Sequence, residues 1–207
     1  GKFATGVEFP LGDRARFGLN YKFNAGRMIG VNEATCVAAN SCIGGILLGE
    51  IGEDRRTHSS LGYTYNFDSR KESLDPKKGL RFEFSQDFGG VGGDDTFVKT
   101  RAKLVAQTKI LNEEVTLRAT LAGGAVAFSN SSPGSRATDR WLFGDDIVRG
   151  FTPDGIGPRE YNAGAGVDNA LGGNFFATAK FEAQFPLGLP EEYGVMGGLF
   201  YDVGNVW

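Results

Sequence analysis

The chain has 207 residues, 22 Lys and Arg against 25 Asp and Glu, a formal net charge of -3 and 32 glycines. That is one ordinary domain; a glycine share about twice the average, with no Gly-X-Y period and seven prolines, excludes collagen and proline-rich disorder, and the near-neutral charge gives no footprint for nucleic acid. No apolar run approaches the roughly 18 residues of a membrane helix, since the longest, Ile43 to Gly49, is broken by glycines. With no initiator Met and no signal-peptide core, the expectation is a chain that is mature or cut from something larger.

In place of a helical period the chain alternates with period 2, as strands with two different faces do. In the first strand Phe3, Val7 and Phe9 oppose Lys2 and Glu8. In the second, Phe17, Leu19, Tyr21 and Phe23 oppose Arg16, Asn20, Lys22 and Asn24. The third sets Leu61, Tyr63, Tyr65 and Phe67 against His58, Ser60, Thr64, Asn66 and Asp68, and the fourth sets Leu80, Phe82, Phe84 and Phe88 against Arg81, Glu83, Ser85 and Asp87. Val98, Ala102, Leu104 and Ala106 then oppose Lys99, Arg101, Lys103 and Gln107; Val115, Leu117, Ala119 and Leu121 oppose Thr116, Arg118 and Thr120. Residues 174 to 185 give the clearest case: Phe175, Ala177, Ala179, Phe181, Ala183 and Phe185 on one face, Asn174, Phe176, Thr178, Lys180, Glu182 and Gln184 on the other. The last strand sets Val195, Leu199, Tyr201 and Val203 against Phe200 and Asp202.

The pattern predicts an all-β fold of eight antiparallel strands. A soluble sandwich alternates too, so strand length and loop asymmetry must separate the two. These strands run about 10 to 16 residues, where soluble ones have a mode near 5 or 6. Connections on one side are short or moderate (Gly12-Asp13, 69 to 78, Leu111-Asn112, 188 to 192), whereas both long ones, 30–56 and 129–172, fall on the other side, with Gly89 to Asp94. Short turns on one side and long loops on the other make an outer-membrane barrel, with the long loops extracellular. Tyr63, Tyr65, Phe67, Phe88, Tyr193 and Trp207 are candidates for its aromatic girdles.

Cys36 and Cys42 lie in the first long loop, and an extracellular position predicts a disulfide. A zinc site would need more ligands than two thiols and the distant His58. His58 faces the interior by parity, and there a hydrogen-bonded histidine is expected rather than a catalytic one. Phosphate-loop, metalloprotease, nucleophile-elbow and calcium-loop signatures are all missing, so no catalytic residue and no cofactor are expected. The interior row Lys99, Arg101 and Lys103 is read as a charged wall paired with Glu83 and Asp87.

The second long loop carries Val148-Arg149-Gly150-Phe151, then Ile156-Gly157-Pro158-Arg159, and ends in Gly172-Gly173-Asn174 before a strand with an inward Glu182; the last strand is Phe200-Tyr201-Asp202-Val203-Gly204-Asn205-Val206-Trp207. Upstream, Tyr63 to Asp68 is followed by Asp75-Pro76 and Gly79. Over roughly residues 60 to 207 this order of motifs resembles the C-terminal half of the BamA-type outer-membrane protein assembly factors, a POTRA-plus-barrel family; residues 1 to 59 match in pattern only. The resemblance implies a sixteen-stranded transmembrane barrel preceded by POTRA domains, in which these strands would be the sixth to the thirteenth. POTRA domains and the gate-forming first and last strands would then lie outside residues 1–207, which hold a partial barrel domain. It further implies folding and insertion of β-barrel clients into the outer membrane of a Gram-negative bacterium, with unfolded client proteins, accessory lipoproteins and membrane lipid as partners. The alternatives are an autotransporter-assembly or two-partner secretion transporter of the same superfamily, or a passive porin.

Long barrel loops commonly fold inward. An inward Arg149 needs carboxylates, because an unpaired guanidinium away from water is costly. Glu182 and Asp202, on the polar faces of the next two strands, are the candidates, and in the family the motif arginine is held by acids at matching positions. The contrary expectation is a surface loop whose Arg149 pairs with nothing.

Overall fold

The structure, a computed structural model, describes residues 1–26, 44–51, 55–72, 78–112, 114–129, 134–144, 147–188 and 194–207. The eight strands form as the alternation predicts: β1 (Lys2–Leu11), β2 (Ala15–Gly26), β3 (Arg56–Asp68), β4 (Gly79–Gly89), β5 (Phe97–Ile110), β6 (Val115–Phe128), β9 (Phe175–Pro186) and β10 (Met196–Val206). They make one antiparallel sheet in the order β1-β2-β3-β4-β5-β6-β9-β10, with β1 and β10 at its edges. β6 pairs directly with β9, from Thr116 opposite Gln184 to Ala125 opposite Phe175, so the whole second long loop leaves the sheet and returns to the neighbouring position.

The long loops are not featureless. The first contains a short helix, α1 (Gly45–Ile51), and the second a separate hairpin of β7 (Arg159–Asn162) and β8 (Val167–Ala170). Neither was legible as an element. Two glycines interrupt seven helical residues in α1, and four-residue strands are too short to show a period.

The two faces of the sheet meet different surroundings. One carries the predicted apolar sets and stays open, with Phe3, Phe9, Phe181 and Leu199 among its exposed side chains. Its rings form a cross-strand ladder in which Tyr63 lies 5.9 Å from Phe17, 6.0 Å from Phe84 and 6.4 Å from Phe88. Polar groups on this face satisfy one another. Tyr63 Oη donates to Gln86 Oε1 and Gln86 Nε2 to Thr100 Oγ1, each at 2.9 Å, and Ser59 Oγ donates to Tyr21 Oη at 2.9 Å. A surface facing hydrocarbon requires this, because lipid supplies no hydrogen bonds.

The opposite, inner face carries the charges and also the buried core. That core is not made of two sheets: Phe143, Val148 and Ile156 of the second long loop pack on Phe176 of β9 and Val206 of β10. The loop also redirects the charged wall expected from sequence. Lys99 stands opposite Asp87 in register, but Asp87 takes Lys22 at 2.9 Å, and Glu83 takes Arg81 of its own strand. Lys99 instead lies 4.2 Å over the Trp141 ring and donates to the Asp139 carbonyl at 3.3 Å, because the loop fills the space in front of it.

Candidate functional site

The second long loop is fixed on the inner face before it presents its arginine. Trp141 and Gly173 exchange backbone hydrogen bonds at 2.8 and 3.0 Å, and Ile156 N–H donates to the Phe143 carbonyl at 3.0 Å. The Phe176 ring receives Trp141 and Phe143 edge-on, with centroids 4.7 and 4.6 Å away, contacts worth about 0.5–1.5 kcal/mol each beyond their area. Val148 then enters a tight turn, its N–H donating to the Gly144 carbonyl at 2.9 Å, and its side chain is buried against β10. Gly204 of β10 permits this approach. A Cβ there would stand 2.9 Å from both Val148 Cγ2 and Thr178 Cγ2.

With Val148 anchored, Arg149 points along the inner face. Its Nε donates to Asp202 Oδ2 at 2.6 Å and its Nη2 to Asp202 Oδ1 at 2.7 Å, a two-pronged pair, and its backbone N–H adds a third bond to Asp202 Oδ2 at 3.2 Å. Nη1 lies 2.9 Å from Glu182 Oε1. The guanidinium is stacked on Phe200, 3.8 Å from the ring centre. In the β9/β10 register Glu182 stands opposite Phe200 and Asp202 opposite Lys180, so one planar group spans two rungs and ties two strands to the loop. Gly150 follows at φ +94°, a left-handed conformation that releases the chain from the wall. The bonds from Asp202, then the charge of Glu182, hold the Arg149 guanidinium still more firmly protonated than an ordinary arginine. A group that never gives up its proton braces and does not shuttle.

Of the residues singled out in the sequence, the structure brings most together, with Val148 buried, Arg149 on both acids and Gly150 at the turn. Phe151 is the exception. It is 47% exposed and contributes nothing to the cluster, because the turn at Gly150 carries it away from the wall. Arg149 keeps 36% of its side-chain surface and Asp202 only 2%, so the pair is closed off at its aspartate end. Arg159, of the second motif, holds the β7–β8 hairpin instead of the wall, with Nε on Asp168 Oδ1 at 2.6 Å and Nη1 on the Asp154 carbonyl at 2.8 Å. Cys36 and Cys42 lie outside the described residues.

Sequence reasoning missed a pair of aromatics and one loop-to-loop contact. Phe200 and Phe176 are aromatics on otherwise polar strand faces, and that break in pattern was the available signal. The contact is a clasp between the long loops. The Glu160 carboxylate of β7 accepts the Ile46 N–H at the start of α1, at 3.1 and 3.3 Å. At the other end Glu50 accepts from Arg140 Nη2 at 2.7 Å and from the Ala137 N–H at 2.8 Å.

The family model described as the Omp85 superfamily domain matches residues 1–207. The chain is 27% identical over 200 residues to the outer membrane protein assembly factor BamA of Neorickettsia risticii (strain Illinois), covering 97% of this chain and 25% of that protein. It is 30% identical over 143 residues to the sorting and assembly machinery component 50 homolog of Bos taurus, covering 69% of this chain and 29% of that one. The chain thus spans about a quarter of the length of these relatives. Among solved structures, BamA from Haemophilus ducreyi lacking POTRA domains 1-3 superposes with a TM-score of 0.71 at 16% identity, over 99% of this chain and 41% of that one.

Proposed function

Since the chain belongs to the Omp85 superfamily, we propose that it supplies wall strands and the braced loop of a β-barrel that folds and inserts other β-barrel proteins into the outer membrane of a Gram-negative bacterium. In this reading its partners are unfolded client proteins, accessory lipoproteins of an assembly complex and the surrounding lipid. It works without a catalytic residue or a cofactor. The observation that carries the reading is the two-pronged hold of Arg149 on Asp202, with Glu182 beside it.

A machine that offers strand edges to an incoming strand, by β-augmentation, must keep the rest of its wall in one register. The brace answers that need. It joins β9 and β10 to a loop that also packs on β6 through Ala122, so a slip of any of these strands would break charged and apolar contacts together.

The test is client folding by the full-length protein in liposomes, read as protease protection of a urea-denatured barrel. The intact protein should accelerate insertion, and Arg149→Ala should slow it by about tenfold, the effect of losing one strong charge-assisted contact. A protein that conducts ions but leaves client folding at the spontaneous rate would be a porin, and the reading would fall.

A further inference from the structure

Away from the brace, the inner face holds a second charged cluster that the proposed function does not use. Asp95, in the β4–β5 connection, is wholly buried, and neither of its carboxylate oxygens has a hydrogen-bond partner. Its basic neighbours are the Arg56 guanidinium, with Nη1 at 3.8 Å, and the His58 ring, with Nδ1 at 3.4 Å. The other nitrogen of the same ring, Nε2, lies 3.7 Å from Oδ1 of Asp139, which belongs to the second long loop. His58 is thus placed between two carboxylates, one on the rim of the sheet and one on the loop.

The other charged groups around the ring have partners of their own. Lys22 of β2 is taken by Asp87 of β4 through both oxygens at 2.9 Å. Lys99 of β5 lies over Trp141 and donates to the Asp139 carbonyl, not to its carboxylate. Asp94 accepts the Thr57 N–H at 2.7 Å, and Arg56 Nη1 donates to the Gly134 carbonyl at 2.8 Å. Arg136 gives its backbone N–H to Asp139 Oδ2 at 3.0 Å. Asp95 thus faces one nitrogen of the imidazole, with the Arg56 guanidinium on its other side, and Asp139 Oδ1 faces the second nitrogen. A neutral ring has one N–H and must turn a lone pair toward one of the two acids, whereas the imidazolium donates to both.

We propose that His58 is a proton-operated latch that fastens the second long loop, through Asp139, to the rim of the sheet at Asp95. Proton uptake completes both contacts and docks the segment 134–144; proton loss leaves one carboxylate facing a lone pair and loosens it.

Hydrogen exchange of the full-length protein in lipid, corrected for the intrinsic pH dependence of exchange, tests this. Protection of the Asp139 and Trp141 amides should be about tenfold higher at pH 5 than at pH 8, the size of one charge-assisted contact, while protection of β5 stays level. His58→Gln, which carries no titratable proton, should flatten the pH response of that segment. Asp139→Asn should shrink it and keep the turn from Arg136. Equal protection at both pH values in the unsubstituted protein would overturn the latch, and so would an unchanged response in His58→Gln. Unaltered β5 protection identifies variants that fold.

Discussion

Arg149 grips both oxygens of Asp202, yet it is the aspartate that is sealed from water and the arginine that keeps a third of its surface. The two ends of the pair should therefore not be equivalent. Arg149→Ala strands a carboxylate in an enclosed place, which costs on the order of 1–3 kcal/mol. Asp202→Asn leaves a guanidinium that still has Glu182 and solvent. We expect Arg149→Ala to lower the unfolding temperature of the full-length barrel more than Asp202→Asn does, and the double substitution to recover part of the loss. Heat-modifiable gel mobility measures this; equal single effects that add in the double would contradict it.

Gly204 is the gap through which the loop reaches β10. Alanine there would push against Val148 and Thr178, two β-branched side chains with little freedom to yield. Gly204→Ala should destabilise by about 1–3 kcal/mol, as overpacking does, and Val148→Ala should relieve part of that cost by removing one of the two contacts. Denaturant unfolding of the three variants gives the answer. Simple additivity would place the strain elsewhere.

The clasp on α1 joins the two long loops through Glu50 and Glu160. Glu50 and Arg140 keep only 13% and 17% of their side-chain surface, and Glu50→Gln removes the charge and offers one oxygen where Arg140 and the Ala137 N–H need two. A loss of about 1–2 kcal/mol is expected, confined to the loops. Amide protection should fall in residues 45–51 and 134–144 together and stay constant in β3 and β4. A fall in α1 alone would mean that the loops do not move as one unit.

The sheet was legible because each of its strands is long and has one face in an apolar and one in a polar setting, which writes a period of 2 into residues such as Phe175 to Phe185. The brace was legible from charge compensation, since Arg149 needs acids and only Glu182 and Asp202 follow it on inner faces of β9 and β10. What escaped has a different physical origin. The partners of Lys22, Lys99 and Glu83 depend on what fills the inner space, a property of the loop path that register does not encode. Phe176 and Phe200 looked like exceptions to a polar face, although they mark where the loop lands. The clasp on α1 joins residues some 90 to 114 positions apart with no periodic signal between them.

The proposed function puts the loop of Cys36 and Cys42 on the outer face of a bacterial outer membrane, an oxidising compartment, and on that reading we propose that the two are bridged. Alkylation of unreduced protein followed by mass spectrometry should show neither thiol modified. Two alkylated cysteines in protein taken from outer membranes would count against both the bridge and the side assigned to the long loops.

The exposed apolar face of the sheet makes the strongest demand on its surroundings. Phe175, Phe181, Leu199, Tyr201 and Val203 are all roughly half exposed or more on β9 and β10, together with Phe3, Val7 and Phe9 on β1. Leu19, Leu61, Phe88 and Leu121 continue this exposed apolar face across the strands between, and a soluble protein seldom leaves such a face in water. Its polar members Tyr63, Gln86 and Thr100 bond to one another. Spin labels placed singly on the full-length protein in bilayers should separate by parity. Labels at Phe175, Phe181 and Leu199 should be relaxed by oxygen, which partitions into lipid, whereas labels at Lys180 and Gln184 should respond to a water-soluble nickel reagent. The accessibility ratio along β9 should therefore oscillate with a period of two residues over positions 175 to 185. A flat profile, or one with its phase inverted so that the phenylalanines meet the aqueous reagent, would show that this face is covered by protein or water and that the sheet does not stand in a membrane wall.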